Sequence, residues 1–411
     1  MKSEEISAQI NAIKALSHKH IVRHTFSLVF VNAISMVFNF MSGAVIAATL
    51  GPFARGLYQS WRIFISIFSD ISNFGLSKFI SSKFNIESYT FRGIGKHLLF
   101  VYMLASALIP LMLKMDFTRN MIFTLFCLVP VGIFTDIYLG LLVRNEKYFV
   151  IALWSLIAMA GSSLLTLMLY FIQKLTLDNI IFANMIIVAF ALTLGLQNVK
   201  FPDGVQSIYV NYRIIIPVYL SNLLKTLFLF LDQMLVLYIL NLSDLGIFAM
   251  ALAVAGLSSI ITGPIATLSP SIARKRDSQK IRFLSRVLLF YSTLIILATI
   301  LCNNFLGLIV FKTIGRDFLP IVELVPILFA GKLFQSFVQL LVSWSMYRNE
   351  SKILVTEKIL NALGLIIAAT VFLSLKSIES AALISIIALI PSFIFFFIVF
   401  LRENARNNAR A

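Results

Sequence analysis

The sequence predicts an all-α polytopic membrane protein, with twelve transmembrane helices in two six-helix lobes (a parallel repeat) around a central cavity. Three observations carry that prediction. Of 411 residues, 59% are hydrophobic and only 13% charged, with a mean hydropathy of +0.93. A water-soluble domain of this size needs about twice that share of charge to cover its surface. The apolar residues also come in continuous runs rather than alternating, and many runs reach the ~20 residues a helix needs to cross a hydrocarbon core. Continuity excludes a transmembrane β-barrel. Finally, the basic residues sit in the gaps between runs, as membrane topology requires. The net charge of +16 is therefore no nucleic-acid signal.

Taken in order, the runs place spans near 24–49, 57–79, 97–114, 120–143, 148–173, 179–199, 214–240, 247–273, 284–311, 319–345, 353–375 and 378–401. Residues 1–23 precede them. They are polar, with Ile6, Ile10, Ile13 and Leu16 at helical spacing, and read as an interfacial amphipathic helix. An even number of spans puts both termini on one side. The loops grouped with the termini carry 22 Lys and Arg, the opposite loops 7, including Arg55. By the positive-inside rule the termini are expected in the cytoplasm.

The halves repeat. "LGPFARGLYQSW" (50–61) aligns with "LNLSDLGIFAMA" (240–251), matching Gly56 to Gly246 and Tyr58 to Phe248. "LSKFISSK" (76–83) aligns with "LSPSIARK" (268–275), and Arg144-Asn145-Glu146 with Arg348-Asn349-Glu350. Three matches in the same order, at corresponding span ends, divide the chain into an N-lobe (24–199), a cytoplasmic linker (200–213), a C-lobe (214–401) and a tail (402–411).

Polar residues mark the cavity faces. Span 1 carries Asn32, Ser35, Asn39 and Ser42 on one helix face. The corresponding face of span 7 holds Asn222, Lys225, Leu229 and Asp232. Span 2 has Gln59, Arg62, Ser66, Ser69 and Asn73 with Asp70 beside them, and span 10 has Lys332, Gln335, Gln339 and Ser343. An ionisable residue at mid-membrane depth costs a few kcal/mol against lipid, so it must face protein or water. Arg62, Lys225 and Lys332 are the candidate binders of an anionic group, through charge-assisted hydrogen bonds. Asn32, Asn39, Asp70, Asn222, Asp232, Gln335 and Gln339 are the candidate polar or gating residues. Asp232 lies two turns from Lys225, about 10.5 Å along the axis, too far for simple pairing. Its expected partner is on another helix, with Arg62 a candidate. The bland reading stays open: such a Lys and Asp can neutralise each other structurally, and Ser or Asn stripes can merely join helices. Prolines inside spans, at Pro110, Pro130, Pro217, Pro264, Pro326 and Pro391, are expected to kink them.

"LGPFARGLYQSW" resembles the segment after the first span of polysaccharide-export flippases. "FLFLDQMLVLYILNLSDLGIFAMA" resembles their seventh-span signature, an Asp followed by a Gly-aromatic pair. With the six-plus-six duplication, the whole chain is similar to O-antigen flippases of the Wzx type, within the multidrug/oligosaccharidyl-lipid/polysaccharide exporter superfamily. The resemblance implies a non-enzymatic transporter in the bacterial inner membrane. It would turn an undecaprenyl-pyrophosphate-linked oligosaccharide from the cytoplasmic to the periplasmic leaflet by alternating access. It implies no bound cofactor beyond a coupling ion, H+ or Na+. Lipid-linked oligosaccharide, membrane lipids and a polysaccharide polymerase complex are the implied partners. Three other functions stay open, one of them a non-transporting membrane assembly protein, for which mid-span lysines would have no obvious use. A cation-coupled multidrug exporter would share the fold, although such exporters often carry an acidic residue in span 1, where this chain has Asn32 and Asn39. An O-antigen polymerase or ligase would need a large periplasmic loop, and the outer loops here are short.

Overall fold

The protein is described by a computed structural model. The described residues are 2–73, 102–103, 106–107, 109–114, 116–144, 148–197, 226, 229–260, 262, 277–346 and 350–408. Asn222, Lys225 and the 200–213 linker lie outside them, as does the side chain of Asn32.

Among the described residues every regular element is helical. The first, α1, spans Lys2–Asn73 and contains one non-helical residue, Gly51, at φ 79° and ψ 178°. That backbone region is open to glycine and closed to residues with a Cβ. Pro52 follows, with no N–H to lose and φ already set for a first helical turn. Spans 1 and 2 are therefore two arms of α1 joined by a single residue. The expected loop over 50–56 is helix, which moves Arg55 from a loop into the first turn of the second arm. Residues 2–23 are helical as expected, and they join the first arm without a non-helical residue between.

The remaining N-lobe helices are α2 (Ile109–Lys114), α3 (Arg119–Arg144), α4 (Tyr148–Phe171) and α5 (Leu177–Gln197). In the C-lobe, α6 (Leu229–Ile239) turns at Asn241 into α7 (Leu242–Gly256). Asn241 sits in extended conformation and accepts from the Asp244 backbone N–H, a standard helix N-cap. Gly51 and Asn241 stand 190 residues apart, so the two lobes turn at equivalent positions by different chemistry. The end of the bundle carrying these turns is called the roof below. Then come α8 (Asp277–Leu301), a π segment (Cys302–Leu306), α9 (Gly307–Thr313), a 3₁₀ turn (Arg316–Phe318), α10 (Ile321–Met346), α11 (Glu350–Leu375), α12 (Ile378–Ile387) and α13 (Ile390–Asn408). The break between α12 and α13 precedes Pro391, the expected kink in span 12. Pro130 and Pro326 lie inside α3 and α10.

Each lobe has its own apolar core. In the N-lobe Trp61, Phe64 and Phe68 pack on Met121, Leu125 and Ile180. The indole N–H of Trp61 donates to the Met121 carbonyl at 3.1 Å, tying the second arm of α1 to α3. In the C-lobe α10 packs against α7 and α12 around Leu324, Leu328 and Phe372, and against α13 around Leu333, Phe337 and Phe396. Large apolar side chains such as Leu289, Ile296, Phe305 and Ile366 are exposed on the outside. A surface of this kind is stable against lipid and not against water.

The lobes meet through α1 and α7. At the roof their backbones touch. A Cβ placed on Gly56 would stand 1.8 Å from the Leu242 carbonyl oxygen, and one on Gly246 would stand 1.9 Å from that of Pro52. The contact is reciprocal under the same 190-residue offset, so the lobe pseudo-symmetry runs through it.

Candidate functional site

Below the roof the lobes separate around a cavity of about 490 Å³. Both arms of α1, with α6, α7 and α10, line it. These are spans 1, 2, 7, 8 and 10. The cavity brings together Asn39, Arg62, Asp232, Lys332, Gln335 and Gln339. At 1.5 Å per residue, the backbones of Arg62, Asp232 and Lys332 lie at similar depth, roughly 15 Å along their helices from the roof. Asp70 is not among the lining residues. It accepts a hydrogen bond from the Thr226 hydroxyl instead, joining span 2 to span 7.

Asp232 is 8% exposed and faces both this cavity and a second one. One of its oxygens accepts from the Gln233 backbone N–H at 2.8 Å. Lys332, on α10, lines both cavities with it. Arg62, the candidate partner, lines the first of them. The reach to span 2 is made one residue later, where the Gln59 amide donates to the Gln233 side-chain oxygen at 2.6 Å. Adjacent residues point about 100° apart, so Gln233 bonds to span 2 while Asp232 lines both cavities.

Arg55 is a cavity residue that the loop assignment concealed. It is 3% exposed and lines the cavity. Its guanidinium lies 5.6 Å from the centre of the Tyr58 ring, and that of Arg62 lies 5.9 Å from the same ring. Tyr58 is held in turn by a hydrogen bond from the Asn184 amide at 3.2 Å and by stacking on Trp61. Arg55, Arg62 and Lys332 stand against one lining carboxylate, Asp232, so the walls are net positive. A low-dielectric wall of one sign concentrates ions of the other. A sequence signal for Arg55 existed: Gly51-Pro52 is a turn pair tight enough to need no loop.

The second cavity, about 150 Å³, lies inside the C-lobe between α6, α10, α11 and α12. It shares Asp232, Lys332, Gln335 and Gln339 with the first and adds Glu357, Asn361 and Ser385. Asn361 accepts from the Ser392 hydroxyl at 2.6 Å and donates to Glu357 at 3.5 Å. Glu357 and Asn361, four residues apart within the apolar span 11, were the sequence signal for this pocket.

No family model matches the sequence, and no curated protein matches it. Solved structures do match. The lipid II flippase MurJ in an inward closed conformation aligns with a TM-score of 0.67 at 13% identity, over 92% of this chain and 90% of that one. An inward-facing multidrug resistance MATE transporter of the MOP superfamily aligns with 0.63 at 12% identity, over 92% and 96%. An outward-facing MATE transporter aligns less well, with 0.57 at 12% identity, over 94% and 95%. The chain has the MOP transporter fold. The all-α, multi-pass, twelve-helix architecture is that of this fold.

Proposed function

We propose that this protein is a flippase for an oligosaccharide carried on an undecaprenyl diphosphate, such as an O-antigen repeat unit. It would turn that lipid from the cytoplasmic to the periplasmic leaflet of a bacterial inner membrane by alternating access. The single observation that carries the reading is the net positive cavity between the lobes. A diphosphate is the fixed anionic part of such a substrate. Arg62 and Lys332 offer it charge-assisted hydrogen bonds at mid-depth, and Lys225 is assigned the same role. The neutral amides of Asn39, Gln335 and Gln339 suit sugar hydroxyls. A lipid II flippase among the structures of like fold supports a lipid-linked substrate.

Nothing in this scheme makes or breaks a covalent bond, so the protein is read as a transporter and not an enzyme. The second cavity, with Asp232 and Glu357, is the place we assign to a coupling H+ or Na+. Substrate would pass from this protein to a polysaccharide polymerase on the periplasmic side. A multidrug exporter of the same fold is the second reading, favoured by the MATE likeness. The cationic walls would disfavour any drug that is itself a cation.

The test is complementation of a bacterial strain lacking its own flippase, scored by surface polysaccharide. Export should be restored by the wild-type chain, lost with Lys332→Ala at equal protein level, and partly kept with Lys332→Arg. Normal export by Lys332→Ala would remove that lysine from the site.

A further inference from the structure

The run formed by α8, the π segment and α9 is the least covered of the four described helices long and apolar enough to span a membrane. Its buried side carries Tyr291, Cys302 and Val310, and its outer side Leu289, Ile296, Ile300 and Leu308. Leu289 is 70% exposed and Ile296 61%. Thr293 and Asn304, also exposed, fill the remaining turns of the outer stripe. Up to Ile300 its spacing alternates four and three residues, that of a heptad seam. From Ile300 to Leu308 it is eight, as it is from Cys302 to Val310 on the buried side. The wider turn of the π segment takes up the extra residue, so the stripe stays on one face of the span. Beside and within that stripe the π segment presents two amides, Asn303 and Asn304, both exposed. Asn303 stands roughly 15 Å along the axis from the end of α9, in a run of 30 residues, and so lies within the hydrocarbon layer. The Asn304 side-chain N–H donates to the Ile300 carbonyl at 2.8 Å, which occupies it with its own backbone. Asn303 makes no hydrogen bond to any described residue. An amide left facing lipid is costly, because no water is there to bond it.

We infer that this face is the interface of a homodimer: a second copy of the chain packs on it about a two-fold axis along the membrane normal, and the two Asn303 amides bond to each other. The inference concerns assembly and stands apart from the flippase reading. Two copies inserted with one topology form a closed pair only about such an axis, which sets identical residues at identical depth. An amide carries both donors and an acceptor, so Asn303 is its own complement. A foreign helix would have to bring a matching polar group to the same depth. Apolar contact alone does not draw helices together in lipid, whose tails are as apolar as leucine, whereas hydrogen bonds between helices do. One Asn in an otherwise apolar seam also fixes register and the number of helices that meet. Leu289, Ile296, Ile300 and Leu308 then pack around the amide pair. Neither α8 nor α9 lines the cavity between the lobes, so each copy keeps its own.

The experiment uses the full chain with a fluorescent protein at its C-terminus, reconstituted in phosphatidylcholine liposomes and counted by single-molecule bleaching as lipid is added. The wild type should bleach in two steps at low dilution and pass to one step as lipid is added. Asn303→Leu keeps the face apolar and removes the amide, and should lower the dimerisation constant tenfold or more. Asn303→Gln, which keeps an amide, should retain most of it. In cell membranes, with Cys127 and Cys302 replaced by Ala, Leu308→Cys should oxidise to a covalent dimer of the chain. Ile366→Cys, equally exposed but on α11, should not. The inference is overturned if the wild type is monomeric at every dilution, which would leave the face to lipid, or if Asn303→Leu dimerises within twofold of wild type. It is likewise overturned if Leu308→Cys cross-links only to a different protein, which would give the face to a foreign helix.

Discussion

Gly56→Ala adds one methyl group to the roof, where the effect can be worked from distance. The new Cβ would lie 1.8 Å from the Leu242 carbonyl oxygen and 3.0 Å from the Gly246 nitrogen. Ordinary contact begins at 3.4 Å, so the second arm of α1 and α7 must part by roughly 1.6 Å. Both obstacles are backbone atoms in the first turns of helices, and neither can rotate away. Overpacking of this kind costs about 1–3 kcal/mol. Under the proposed alternating access, in which this contact is the closed gate, the cost falls only on the closed state, so the open state gains by a factor of about 5–150. Nitroxide pairs at Phe53→Cys and Ser243→Cys, with Cys127 and Cys302 replaced by Ala, report the roof distance by double electron–electron resonance. The alanine variant should shift weight to the longer distance, and Gly246→Ala should do the same. The double variant should add little, because either methyl already separates the same backbone pair. Gly307→Ala, whose Cβ would meet nothing nearer than 3.7 Å, should leave the distances unchanged. Wild-type distances and wild-type export in Gly56→Ala would refute the assignment of this contact as the closed gate.

Asp232→Asn removes the opposing charge from Lys332 and raises the cavity's excess of positive charge, so export in the complementation assay should fall while the protein still inserts. Normal export by that variant would show the charge to be dispensable. Trp61→Phe loses the hydrogen bond to the Met121 carbonyl and some buried volume, together about 2 kcal/mol, and should lower the unfolding temperature in detergent by a few degrees. A cysteine at Ser278, near the start of α8, should react with an impermeant maleimide only from the cytoplasmic side. Labelling from the periplasm of intact cells would invert the topology drawn from the basic loops.

Much of the fold was legible because a membrane span must be apolar for its whole length, whatever it packs against. Hydropathy therefore located the helices, and the Gly56 and Gly246 match located the repeat, since both glycines sit where two backbones touch. Of the polar stripes, Asn39, Gln59, Arg62, Asp232, Lys332, Gln335 and Gln339 line the cavity, whereas Ser42 bonds to Ser163 and Asp70 to Thr226. Arg55 was misplaced by the logic of hydropathy. A charge close to a span end reads as a loop residue, and only the positive φ of Gly51 shortens that loop to nothing. The surroundings of Asp232 were beyond the sequence as well. Periodicity says which residues of one helix share a face, but not how far that helix is rotated toward its neighbours. Tertiary packing alone therefore decided that Lys332 and Asp232 line one cavity, that Gln233 meets Gln59, and that Arg55 and Arg62 gather around Tyr58.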